Sequence, residues 1–173
     1  MSERPGRSGQ PVDGPRLSAP EQPTLTPAHA ASPAGTPATR AGALRTAARI
    51  VYRWALLAFL LAGGAQIFLA GLGVFSFGDH DVAGGTSAFD AHKTLGFTLA
   101  GAAIIIFVLA LIARAGVGPV VGCGVLVVQT SLLQSLLAGL ADHTALFGGL
   151  HALDGLLVIG IAGFLYAAAR RQR

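Results

Sequence analysis

Charged residues are missing from three long stretches of this chain, Trp54 to Phe77, Thr94 to Ala113 and Ala115 to Ala141. A fourth, Thr144 to Ala169, carries only His151 and Asp154 of the Asp, Glu, Lys, Arg and His types. Each run matches the roughly 20 helical residues needed to cross a hydrocarbon core. Lipid leaves no water to satisfy open backbone groups, so segments of this kind are expected to be helices. Composition agrees: 53% of the residues are hydrophobic, 12% are charged, and the mean hydropathy is +0.63, too apolar for a soluble domain of this size. The expected fold is all-α, an integral membrane up-down four-helix bundle over residues 41–173, with the lipid bilayer as its first partner.

The remaining charges order the spans. Arg45, Arg49 and Arg53 precede span one, Arg114 lies between spans two and three, and Arg170, Arg171 and Arg173 follow span four. The connections expected around Gly78 to Ala91 and at Asp142 to His143 hold Asp79, Asp81, Asp90 and Asp142 but only one cation, Lys93. The positive-inside rule then places both termini in the cytoplasm and the chain in the cell membrane as a multi-pass protein. The sequence pI of about 10.2 reports this sorting. The basic residues lack interleaved aromatics and a recognition fold, so nucleic acid is excluded as a partner.

Residues 1–40 are rich in Pro, Ala, Ser, Thr and Gly and carry no periodic apolar face, which predicts a disordered cytoplasmic tail. No apolar signal-peptide core appears before residue 54, so span one is read as a retained anchor. Arg45, Arg49 and Arg53 recur every four residues, which predicts that the first helix starts before the membrane with a basic stripe on anionic headgroups. Cys123, the single cysteine, forms no internal disulfide and is read as a packing residue.

An internal echo organises the spans further. Gln66-Ile67-Phe68-Leu69-Ala70-Gly71-Leu72 is matched by Gln134-Ser135-Leu136-Leu137-Ala138-Gly139-Leu140; Asp79-His80 by Asp142-His143; and His92-x-x-x-Gly96 by His151-x-x-x-Gly155. Two pseudo-repeated helical hairpins, related by an axis along the membrane normal, are the expected arrangement.

The echo puts His92 and His151 at similar depth on spans two and four, near the outer surface. In an up-down bundle those spans are diagonal, about 11–14 Å apart given neighbouring axes at about 8–10 Å. That scale suits a metal bridged by two imidazoles, and a haem iron above all. Gly96 and Gly155, one turn further in, remove side chains where a flat macrocycle would press, and Lys93 is placed to pair with a haem propionate. The competing reading makes both histidines interfacial residues bonded to carbonyls or headgroups. Gln66 and Gln134 read as interhelical hydrogen-bond formers that fix register, with cofactor or proton handling as the alternative. Asp154 either orients an imidazole or faces an outer crevice, and His80 and His143 read as solvated turn residues.

The phrases Ala91-His92-Lys93-Thr94-Leu95-Gly96 and Leu150-His151-Ala152-Leu153 resemble the histidine-bearing spans of haem A synthase, whose halves are four-helix bundles with haem ligands on the second and fourth helices. Residues 50–170 also resemble small four-span bacterial membrane proteins. The first resemblance implies b-type haem (haem b) held by His92 and His151. The synthase has two such halves and a catalytic acidic residue, and this chain has one half, so the resemblance implies electron transfer or haem carriage rather than haem modification. Two other classes stay open. One is an outer non-haem metal site of Asp79, His80, Asp142, His143, His92 and His151; the other is a non-catalytic membrane subunit or scaffold packing through Gly63, Gly64, Gly71, Gly101 and Gly160. No Gly-x-Ser-x-Gly or His-Glu-x-x-His pattern and no phosphate-binding Gly-rich loop occurs, so no catalytic group is assigned.

Overall fold

The structure is a computed structural model that describes residues 40–171; the tail expected over residues 1–40 lies, apart from Arg40, outside them. The described residues form helices α1 (Arg40–Gly78), α2 (Val82–Ala113), α3 (Val117–Val128), a π-helical turn (Gln129–Leu133), α4 (Gln134–Ala141) and α5 (Ala145–Arg171). The segment α3–π turn–α4 is continuous from Val117 to Ala141, so four helices are long and apolar enough to cross a membrane. At about 1.5 Å per residue even the shortest exceeds a 30 Å hydrocarbon layer. As expected from the spacing of its arginines, α1 begins well before its uncharged run.

Three-residue turns join the four long helices, which forces antiparallel neighbours. Backbones approach closely between α1 and α2, α2 and α3, α4 and α5, and α5 and α1, and nowhere between α1 and α3–α4 or between α2 and α5. Those two pairs are therefore the diagonals of the bundle. The arginines at the start of α1, at Arg114 and at the end of α5 collect at one end; Asp79, Asp81 and Asp142 collect at the other.

The turn between α1 and α2 differs from expectation. The connection anticipated over Gly78 to Ala91 is confined to residues 79–81, and α2 starts at Val82. Asp81 is the reason at the helix end: its carboxylate accepts from the Gly84 N–H at 2.9 Å, capping an otherwise unpaired donor. Packing is the reason behind it. The Phe77 and Phe89 rings stack with centroids 5.9 Å apart; a Cβ added at Gly85 would meet Phe77 at 2.8 Å, and one at Gly73 would meet Phe89 at 2.8 Å.

Two helix ends close on non-glycine residues. The Asp81 N–H bonds the Ser76 carbonyl and the His80 N–H the Phe77 carbonyl, with His80 left-handed at φ 63°. Arg114, at φ 51°, closes α2 in the same way, through Ala115 to Ala110 and Arg114 to Leu111. Both are the pattern that glycine usually serves. Arg49 adds a cation at the second of these ends, its Nε donating to the Ala113 carbonyl at 3.2 Å, where the helix dipole favours positive charge.

The apolar core fills the arginine-rich end and the middle. Tyr52, Leu56 and Phe59 of α1, Leu99, Ala103, Ile106 and Ala110 of α2, Cys123 and Leu126 of α3, and Val158, Ala162 and Leu165 of α5 are buried together. The spacing of three and four along each helix is that of a bundle seam. Tyr52 Oη and Cys123 Sγ lie 3.4 Å apart across the α1–α3 diagonal, so the cysteine is both a packing residue and a polar tie. The outer surface also carries many large apolar side chains: Phe75, Leu61 and Val117 are 75%, 68% and 82% exposed.

Replacing Gly73 or Gly85 by Ala is expected to lower stability by about 1–3 kcal/mol, because a ring must leave its place. His80→Gly is expected to raise it by up to about 1 kcal/mol through relief of the left-handed backbone. Thermal unfolding in detergent, with each variant beside the parent, measures both signs.

Candidate functional site: a histidine pair tied to two glutamines and a buried aspartate

Polar side chains in the bundle interior concentrate toward the acidic end. His92 is on α2 and His151 on α5, on opposite sides of a diagonal, yet their rings meet: the centroids are 6.1 Å apart and the planes are inclined at 65°. Both residues are half-buried. Phe89, one turn earlier on α2, stands edge-on to His92 at 6.4 Å.

Each ring is fixed by the helix beside it. His92 Nδ1 lies 3.1 Å from the main-chain carbonyl oxygen of Gln66 on α1, and His151 Nδ1 lies 3.2 Å from that of Gln134 on α4. A carbonyl only accepts, so Nδ1 carries the hydrogen in both rings. In the neutral imidazole this leaves Nε2 with an open lone pair. Fixing Nδ1 to a carbonyl is also how metal-binding imidazoles are commonly oriented. The carbonyl bonds of the bland reading are thus present, and they leave each ring with one nitrogen able to act as a ligand.

The glutamines hold their partners by different means. The Gln134 carboxamide donates to the His151 carbonyl at 3.1 Å and to Asp154 Oδ2 at 2.9 Å, an interhelical tie of the kind expected. The Gln66 Oε1 is buried with no hydrogen-bond partner. Its Nε2 lies against Gly96, 3.1 Å from where a Cβ would stand; Gln134 Nε2 lies 3.6 Å from the same point at Gly155. What rests against each glycine in this structure is therefore a carboxamide.

Asp154 takes neither of the positions expected of it. It is 7% exposed, so it faces no crevice, and its oxygens accept from glutamines rather than from an imidazole: Oδ1 from Gln129 Nε2 at 2.7 Å and Oδ2 from Gln134 Nε2. Gln129 escaped the sequence reading. In a regular helix residues five apart point about 140° away from each other, which would send Gln129 and Gln134 to different neighbours. The π turn between them, closed by the Gln134 N–H on the Gln129 carbonyl, adds a residue to the turn and brings both carboxamides onto one carboxylate. The available signal was Gln129-Thr130-Ser131, three polar residues together inside an apolar span.

The other candidates stay apart from the pair. His80 and His143 are exposed in the turns with Asp79 and Asp142, and Lys93 is exposed on α2. Among the described residues no three His, Cys, Asp or Glu side chains are grouped to hold a metal ion, so the mixed outer set is not gathered in this structure.

No protein-family model matches the chain, and no curated protein and no solved structure is similar to it.

The glycine geometry yields a paired test. Gly155→Ala meets Gln134 at ordinary contact distance and is expected to gain about 0.5–1 kcal/mol from the lower backbone entropy of alanine. Gly96→Ala must displace the Gln66 carboxamide, so its melting temperature is expected to fall below that of Gly155→Ala in the same detergent.

Proposed function

We propose that this chain is a multi-pass protein of the cell membrane that holds a b-type haem between His92 and His151 near its outer face and serves electron transfer or haem handling. The observation that carries the reading is the 6.1 Å separation of the two ring centroids. With Nδ1 of both rings bonded to carbonyls, it is Nε2 that is free to ligate, and two imidazoles on facing helices are a donor set suited to haem iron.

A bound haem would supply one-electron chemistry; the rest is the work of the chain. His92 and His151 would hold the haem iron. Gln66 and Gln134 would orient them through main-chain carbonyls, with their carboxamides resting against Gly96 and Gly155. Lys93, exposed on α2, would be the residue to pair with a propionate. The equal contacts His92–Gln66 and His151–Gln134, one within each hairpin, support a duplicated hairpin. The gathering of arginines at one end and aspartates at the other supports cytoplasmic termini, and the apolar exterior supports a bilayer around the bundle.

Absorption spectra of the full-length protein, purified after expression with ample haem and recorded before and after dithionite, test the proposal. A low-spin haem spectrum in the parent that is lost in His92→Ala and in His151→Ala is the expected result. A folded parent without haem overturns it.

A further inference from the structure

We infer that Asp154 is the counter-ion of a positively charged group carried by His92 and His151, an inference that rests on the metal-binding reading of the pair and adds the sign of its charge. Three observations carry it. Asp154 is buried in the bundle, where an uncompensated carboxylate is costly and a functional role is the default expectation. Both of its oxygens accept from carboxamide N–H groups, the arrangement that suits the ionised form, since an acid form would turn a hydrogen of its own toward one donor. Among the described residues the carboxylate makes no ion pair, its hydrogen bonds being those from the two glutamines.

Among the described residues no lysine or arginine is placed to neutralise it. The arginines of α1, Arg114, Arg170 and Arg171 belong to the other end of the bundle, and Lys93 is exposed on α2, the helix diagonal to α5. The imidazole pair is the nearby place where a positive group can attach, through two open Nε2 lone pairs. Gln134 straps the two together: its Nε2 bonds both Asp154 Oδ2 and the His151 carbonyl, and its own carbonyl takes the His151 Nδ1–H. In the first hairpin the positions matching Asp154 and Gln129 are Leu95 and Leu61. The negative charge is therefore supplied once, from one side, as a single centre shared by both hairpins requires. The π turn lies between the two glutamines whose carboxamides both bond that carboxylate.

A ferric haem with two imidazole ligands is more positive than its ferrous form by one charge, so the counter-ion favours oxidation. The test is a redox titration of the haem-loaded full chain in detergent. Asp154→Asn is expected to shift the one-electron equilibrium toward reduction by at least tenfold, which is 59 mV upward. Gln129→Lys, which places an ammonium beside Asp154 Oδ1, is expected to move it the same way, and it decides the matter if Asp154→Asn does not fold. A change below threefold, or a downward shift, in the folded variants overturns the counter-ion while leaving the haem reading intact. A parent without haem overturns the haem reading alone, and the charge is then read with Co²⁺ alone by its d–d absorption. Binding at least tenfold weaker in both variants upholds the counter-ion; unchanged binding, or none in the parent, overturns it.

Discussion

Apolar side chains face outward as well as inward in this bundle, so apolar pattern alone does not decide which side of a helix turns toward its neighbours. Close approach and a few polar bonds decide it instead. Small residues do the first: Ala103, Ala110 and Ala113 of α2 are fully buried, and Gly73 and Gly85 leave only enough room for the two stacked phenylalanines. Polar bonds do the second, because a buried donor or acceptor without a partner costs about 1–3 kcal/mol. Tyr52 with Cys123 fixes one diagonal; the histidines, fixed to Gln66 and Gln134, meet across the other.

The two ends of the bundle consequently do different things. The arginine-rich end and the middle hold a continuous apolar core, closed by a helix terminus that Arg49 caps. Toward the acidic end the interior is a chain of polar groups running from Gln129 through Asp154 and Gln134 to His151 and on to His92. That network lies on one side of the histidine pair. The first hairpin offers His92 the same carbonyl contact but no acid, and it leaves the Gln66 Oε1 buried without a partner. The two rings are thus alike in their carbonyl contacts and unlike in what surrounds them.

Several of these features were legible residue by residue. The uncharged runs gave the number of helices, since a charge inside lipid is costly wherever it stands. The ends of α1 and of α2 fall where charge returns, at Gly78 and Ala113. The start of α2 was not legible in this way: polarity marks where a span leaves an apolar layer, whereas a helix ends where its caps and contacts end, and Asp81, Gly85 and Phe89 carry α2 outward by more than two turns. The matched motifs paired His92 with His151 because identical spacing on two antiparallel hairpins brings equivalent residues to one level. Asp154 was singled out as an ionisable group in an apolar run, but its partners were not, because a regular helix would have sent Gln129 elsewhere.

The sequence by itself determined that this chain is four long apolar helices with basic and acidic ends, and that two histidines share a level on the second and the fourth. Those are one-dimensional facts, set by charge and spacing along the chain. Only the tertiary structure decided that the rings meet 6.1 Å apart across a diagonal, that Nδ1 of each is taken by a carbonyl, and that two glutamines converge on a buried aspartate. The reason is that ring orientation and hydrogen-bond choice depend on which helices lie side by side and on one extra residue in a π turn, and neither is a property of any single segment.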